Sequence, residues 1–189
     1  GWGRLLMDRF IRQRGESPAA FGALDRLAWM GEHAMGVLTF HPPSQQLDKS
    51  AKGFELSRLA SEAREVFEGE ATVVLPELLQ AGGSPGGARP KVLVGVRGNM
   101  LFTGTEPYPA DYEPWLIKFF AKSDSADTGA VEEAYSRMAQ SAGIDFPEHR
   151  LFETSEGLFF GVKRFDREGR RRIHMHSLGN MIGADFRLP

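Results

Sequence analysis

Hydrophobic positions along the first seventy residues recur at helical spacing, interrupted by glycine and proline. Trp2, Leu5, Leu6, Arg9 and Phe10 share one face of an opening helix that Gly15 stops. Ser17-Pro18 gives an N-cap followed by proline at the first helical position, and Phe21, Leu24, Leu27 and Ala28 continue a second helix to Gly31. Met35 to Phe40 is predicted as a strand, broken at His41-Pro42-Pro43-Ser44. The polar, turn-rich stretch 41–53 reads as a linker between subdomains. A third helix carries Leu56, Leu59, Ala60, Ala63, Val66 and Phe67 on one stripe, and a short fourth spans Pro76–Gln80.

Beyond the Gly-rich stretch Ala81–Ala88 the period shortens toward that of strands. Lys91–Val96 and Met100–Phe102 predict a hairpin turning at Arg97-Gly98-Asn99, and Trp115–Phe120 a further strand after Pro114. Asp127 or Thr128 caps a helix whose apolar face is Val131, Ala134, Tyr135, Met138, Ala139 and Ala142, closed by Gly143. Arg150–Glu153 and Leu158–Arg164 predict a second hairpin, turning at Ser155-Glu156-Gly157. The expected fold class is α+β.

The absence of cysteine among the 189 residues removes thiolate catalysis, Cys-ligated zinc and iron–sulfur chemistry. A net charge of −2 provides no global basic field for non-specific nucleic-acid binding. That neutrality is uneven: residues 124–157 carry eight acids against two bases, and 163–176 carry six bases against two acids. No apolar run approaches a membrane span. The start Gly1-Trp2-Gly3, without Met and already helical in pattern, predicts a cut edge.

The loop Gly82-Gly83-Ser84-Pro85-Gly86-Gly87-Ala88-Arg89-Pro90-Lys91 is the sharpest local feature. Phosphate binds where backbone N–H groups approach without Cβ obstruction and a cation stands near. The loop is not a Walker A motif and fails the G-x-G-x-x-G pattern, so a flexible turn entering a hairpin is the competing reading. Lys118, inside the run Trp115–Phe120, either faces solvent or meets an anion. The order loop, strand lysine, helix glutamate (Glu132) parallels the phosphate-binding parts of protein kinases. His174 and His176 lack a third metal ligand at useful spacing, and Asp166, hemmed by cations, reads as a structural ion-pair residue rather than a base.

Gly1-Trp2-Gly3-Arg4-Leu5-Leu6, Asp25-Arg26-Leu27, Gly31, Met35-Gly36, the run Ser84–Lys91, Trp115-Leu116-Ile117-Lys118-Phe119, Ala142-Gly143-Ile144 and Lys163-Arg164-Phe165-Asp166-Arg167 occur in that order. This pattern resembles the HipA family, serine/threonine protein kinase toxins of type II toxin–antitoxin modules, associated with persistence. The resemblance implies that residues 1–44 end a HipA-like N-terminal subdomain and 45–74 form a linker and bridging helix. Residues 75–165 would be a kinase-like ATP-binding N-lobe with an antiparallel sheet and one packed helix, and 166–189 the start of a C-terminal lobe that is largely absent. It implies ATP with Mg²⁺ as cofactors. Gly86, Gly87, Ala88, Arg89, Pro90 and Lys91 would cover the phosphates, Lys118 would contact them, and Glu132 would pair with Lys118. Lys163, Arg164 and Phe165 would form the hinge that meets adenine through backbone groups, although Lys163 stands where the family often has an acid. Ser84 matches the loop serine whose autophosphorylation inactivates family members that use it. No Asp-x-His-x-x-Asn run follows Arg167, so no catalytic residue falls in this span and the chain alone is expected to be inactive in phosphotransfer. The implied partners are a helix-turn-helix antitoxin of the HipB type, bringing DNA in only indirectly, and a protein substrate such as an aminoacyl-tRNA synthetase, all cytoplasmic and without membrane contact. The alternative is a split or degenerate subunit serving as a non-catalytic partner of a kinase or antitoxin.

Overall fold

The computed structural model describes residues 1–44, 53–71, 73–82, 86–98, 100–104 and 106–185. Helices α1 (Trp2–Gln13), α2 (Ala23–Met30), α3 (Leu56–Glu68) and α4 (Pro76–Gly82) and a two-residue edge strand β1 (Gly53–Phe54) come first along the chain. Strands β2 (Lys91–Arg97), β3 (Met100–Phe102) and β4 (Glu113–Lys118) follow, then α5 (Thr128–Ser141), β5 (His149–Thr154) and β6 (Gly157–Lys163). A small hairpin, β7 (Arg167–Glu168) with β8 (Arg171–Arg172), and a short α6 (Leu178–Met181) close the described residues. The six-stranded sheet is antiparallel throughout, in the order β1-β3-β2-β4-β6-β5. The fold is α+β.

Strand alternation sorts the sheet into two unlike faces. Val92, Val94, Val96, Leu101, Trp115, Ile117, Phe152 and Phe159 point to one side and are buried. There they join Trp2, Leu6, Met7 and Ile11 of α1, the Leu59–Val66 stripe of α3, and Leu78 and Leu79 of α4 in one continuous cluster. Helix α3 is the amphipathic helix its sequence predicts, ended by Gly69 at φ 83°. α1 turns slightly from its predicted face, burying Met7 and Ile11 while Leu5 and Phe10 stay at the margin.

Three local expectations need correction. The second helix does not begin at Ser17-Pro18. Those residues lead into a single 3₁₀ turn, Pro18–Ala20, and α2 starts after Gly22, whose N–H donates to Asp25 Oδ2 at 2.8 Å. Met35–Phe40 is not a strand, because its N–H groups go elsewhere. Gly36 lies at φ 74° and donates to Asp166 Oδ2 at 2.7 Å, and Phe40 donates back to the Gly31 carbonyl at 3.0 Å. The apolar stripe of α5 faces outward: Val131, Tyr135 and Met138 are 49, 66 and 63% exposed, while Gly129, Glu133 and Ser136 are buried. Contact with the sheet is set by how closely the backbone approaches, and Gly129 permits it. A Cβ there would stand 2.3 Å from the Leu158 carbonyl oxygen.

A cationic sheet face as candidate functional site

The second face of the sheet is built by register. Lys91 of β2 lies directly opposite Lys118 of β4, which lies opposite Phe160 of β6. Two residues further along the same face, Leu93, Leu116 and Val162 form the next rung. The rung after that is Gly95 with Pro114, where a Gly95 Cβ would meet the Tyr108 ring at 3.0 Å and the Tyr112 Cβ at 3.2 Å. The face therefore runs from two lysines, across an aliphatic floor, toward the segment that follows β6.

Like charges directly opposite across a strand pair repel, so two lysines on one rung need a counter-charge. Glu132 of α5 supplies one, its Oε2 accepting from Lys118 Nζ at 2.5 Å. Lys91 is only 8% exposed and donates to the Gly86 carbonyl at 2.8 Å. Its pKa is lowered, first by burial and then by the neighbouring Lys118 charge, with Glu132 opposing both. Two ammonium groups stand near one carboxylate, which contacts only Lys118, and this leaves the rung with a net positive charge beside the Gly-rich loop.

That loop is fixed at its far end. Gly87 adopts φ 93°, a conformation that calls for glycine, and a Cβ on it would push the Lys91 ammonium, 2.7 Å away, off its place. The Gly87 carbonyl accepts from Trp2 N at 2.8 Å, and Trp2 Nε1 donates to the Lys91 carbonyl at 2.7 Å. Among the other loop residues, Ala88 is exposed, and the Pro90 carbonyl accepts from Phe119 N at 2.9 Å. Arg89 is engaged by Asp124 at 2.6 Å and lies 5.9 Å from the Phe67 ring centre. Ser84 lies outside the described residues.

At the opposite end, Lys163 pairs with Glu113 and, at 3.2 Å, with Glu148. Its N–H donates to the Glu148 carbonyl and that of Arg164 to the Pro114 carbonyl, both at 2.8 Å. Phe165 is exposed. A cavity of about 570 Å³ opens here, lined by Asp145, Pro147, Glu148, Lys163, Arg164 and Phe165.

Behind this segment Asp166, 1% exposed, ties the chain together. It accepts from Arg164 Nε at 2.9 Å and Nη2 at 2.7 Å, from Arg167 Nη1 at 2.7 Å, and from Gly36 N. Glu106 accepts from the same two arginines at 2.5 Å each. Burial opposes Asp166 ionisation, but the Arg164 bonds and charge outweigh it and hold its carboxyl below the usual range. Asp166 is the structural ion-pair residue that its cationic neighbours predict.

His174 and His176 are exposed, with ring centres 6.0 Å apart, and among the described residues no three His, Asp or Glu side chains form a metal-binding group. Sequence reasoning missed three partners of the site: Phe160, whose ring centre lies 5.4 Å from Lys118 Nζ; Asp124, which holds Arg89; and the buried pair of Glu133 with His149. Only the last left a trace in the sequence, as a second acid beside Glu132.

An antiparallel sheet with α1, α3 and α4 on one face and, on the other, a strand lysine paired with a glutamate of α5 defines an α+β domain with a cationic patch on its second face. Residues 83–188, more than half of the chain, match the family model of the HipA-like C-terminal domain, and the chain belongs to the HipA family. A search of curated proteins returned no match. Among the described residues no helix is long and apolar enough to cross a membrane.

Proposed function

We propose that the Lys91–Lys118 face binds the phosphates of ATP, and that the chain is part of a HipA-like serine/threonine protein kinase toxin. The observation that carries this reading is the cross-strand lysine pair, Lys118 held by Glu132, set against the exposed loop residues 86–89. A triphosphate would relieve the repulsion between the two ammonium groups. The aliphatic rung Leu93–Leu116–Val162 then lies between the phosphates and the 163–165 segment, where a nucleoside would rest. The base would sit by the cavity beside Phe165. Because the N–H groups of Lys163 and Arg164 already serve protein carbonyls, base recognition there falls to the remaining backbone groups of the hinge.

The roles of these side chains are binding and orientation. Lys118, held by Glu132, places a point charge at the phosphates, Lys91 closes the loop side, and Leu93, Leu116 and Val162 offer an aliphatic surface between them and the hinge. Mg²⁺ would travel with the nucleotide, and no step is assigned to it. As a HipA-like protein the chain would meet a HipB-type helix-turn-helix antitoxin, with DNA reached through that partner, in the cytoplasm. Its substrate would be a protein such as an aminoacyl-tRNA synthetase. The exposed apolar stripe of α5 favours the second reading, a non-catalytic subunit docked on a kinase or antitoxin.

Isothermal titration with Mg·ATP and Mg·ADP tests the binding reading. Wild type should bind both, and Lys118→Ala and Lys91→Ala should each weaken ATP about tenfold or more, as expected when a charged contact to phosphate is lost. No heat from either nucleotide, or unchanged affinity in both variants, refutes it. Robust γ-phosphate transfer by this chain would refute its assignment as catalytically incomplete.

A further inference from the structure

Helix α5 lies on the sheet without an apolar stripe beneath it. Its buried residues are Gly129, which brings the backbone against β6; Glu133; and Ser136, whose hydroxyl donates to the Glu132 carbonyl at 2.9 Å within the helix itself. Gly129 fixes how the first turn of the helix meets the sheet and leaves the rotation of the following turns to other contacts. Rotation is set by two adjacent acids that diverge by about 100° around the helix. Glu132 reaches Lys118 on β4, and Glu133 Oε2 lies 2.6 Å from His149 Nδ1 on β5.

We propose that His149 is a positioning residue: through Glu133 it fixes the rotation of α5 and so holds Glu132 on Lys118. The consequence for nucleotide binding rests on the function proposed above, while the effect on Lys118 does not. His149 and Glu133 are deeply buried, with side chains 5 and 8% exposed. The His149 ring meets Phe146 edge-on at 5.4 Å and lies 6.0 Å from Phe160, the ring beneath Lys118. Arg137 Nε supports Glu133 from the same helix at 2.8 Å. Burial disfavours the Glu133 carboxylate, but the bonds from His149 and Arg137 outweigh that and keep its pKa below the usual range. An ionised carboxylate in this setting is strongly directional, since it must point at its donors. A rotation that moved Glu133 off His149 would swing Glu132 off Lys118 with it.

The test uses the 189-residue chain and reads Lys118 directly, as its rate of acetylation by a water-soluble acylating reagent relative to Lys122, followed by mass spectrometry. Mg·ATP affinity is measured in parallel. His149→Phe keeps the ring packing and removes the Nδ1 bond, whereas His149→Asn keeps a nitrogen donor near that position. His149→Phe should speed Lys118 acetylation and weaken Mg·ATP, each about fivefold to tenfold, as for loss of one charge-assisted contact. His149→Asn should stay near wild type, and in a Glu132→Gln background His149→Phe should add nothing. The double variant His149→Phe with Glu133→Leu removes the stranded charge and safeguards folding. It should still free Lys118, because an apolar pair packs without a fixed direction. Unchanged Lys118 reactivity in the folded double variant, or full additivity of His149→Phe with Glu132→Gln, overturns the proposal. If the acetylation pattern holds while wild type binds no Mg·ATP, the positioning role stands and the nucleotide reading falls.

Discussion

Replacing Asp166 with alanine should produce a large loss of stability at a position far from the lysines. The side chain accepts from four N–H groups, three of them on Arg164 and Arg167, whose side chains are 2 and 5% exposed. Removing one partner of a buried ion pair costs about 3–5 kcal/mol, because the other charge is left without compensation. Glu106 still holds both arginines, which places the expected loss at the low end, about 3 kcal/mol. For a domain of this size each kcal/mol lowers Tm by about 2–4 °C, so the expected drop is about 6–12 °C. Thermal melts and urea titrations followed by circular dichroism measure it, with Asp111→Ala as a control. Asp111 pairs with Arg97 on the surface, and its loss should leave Tm essentially unchanged. The pH dependence supplies a second reading. The folded pKa of Asp166 is depressed, so its stabilisation is complete above the ordinary value of 3.8 and is lost as pH falls below it. Asp166→Asn should flatten that acid limb. A loss below about 1 kcal/mol, well under the cost of breaking a buried pair, or an unchanged acid limb, would refute the reasoning.

Gly129→Ala should cost about 2–3 kcal/mol or more and free the end of α5, since the new Cβ would lie 2.3 Å from a backbone oxygen; hydrogen exchange across α5 would show this. Trp2→Phe leaves the Lys91 carbonyl without its indole donor and should cost about 1–3 kcal/mol in a urea titration, with faster exchange of the residue-2 amide that donates to the Gly87 carbonyl. Lys91 has a folded pKa below its ordinary 10.5, and a bound phosphate would raise it. ATP binding should therefore take up protons in the alkaline window below 10.5, measurable by titration in buffers of different ionisation enthalpy; proton release there would contradict the phosphate contact.

The helices and hairpins that bury one face were legible because periodicity reports that face directly, as in α3 and in β2 with β4. The order of loop, Lys118 and Glu132 was legible too. The opposition of Lys91 and Lys118 was not, since it depends on the register of strands more than twenty residues apart. Helix α5 shows why a stripe can mislead: Val131, Tyr135 and Met138 mark an apolar side, but a close glycine contact and the Glu133–His149 bond decide which side meets the sheet. Met35–Phe40 has strand composition, yet a positive-φ glycine and a carboxylate 130 residues away take up its backbone instead.

The Trp2 contacts bear on where the folding unit can be cut. The matched family region begins at residue 83, but the valines of β2 and the Trp115 and Ile117 side chains of β4 are covered by α1, α3 and α4, all of which start before it. The carbonyls of Gly87 and Lys91 are likewise satisfied by Trp2. A polypeptide trimmed to the matched residues would expose an apolar sheet face and release one end of its glycine loop. The boundary at 83 marks where the match to the HipA-like C-terminal domain begins, whereas the packed core it shares extends back to Trp2.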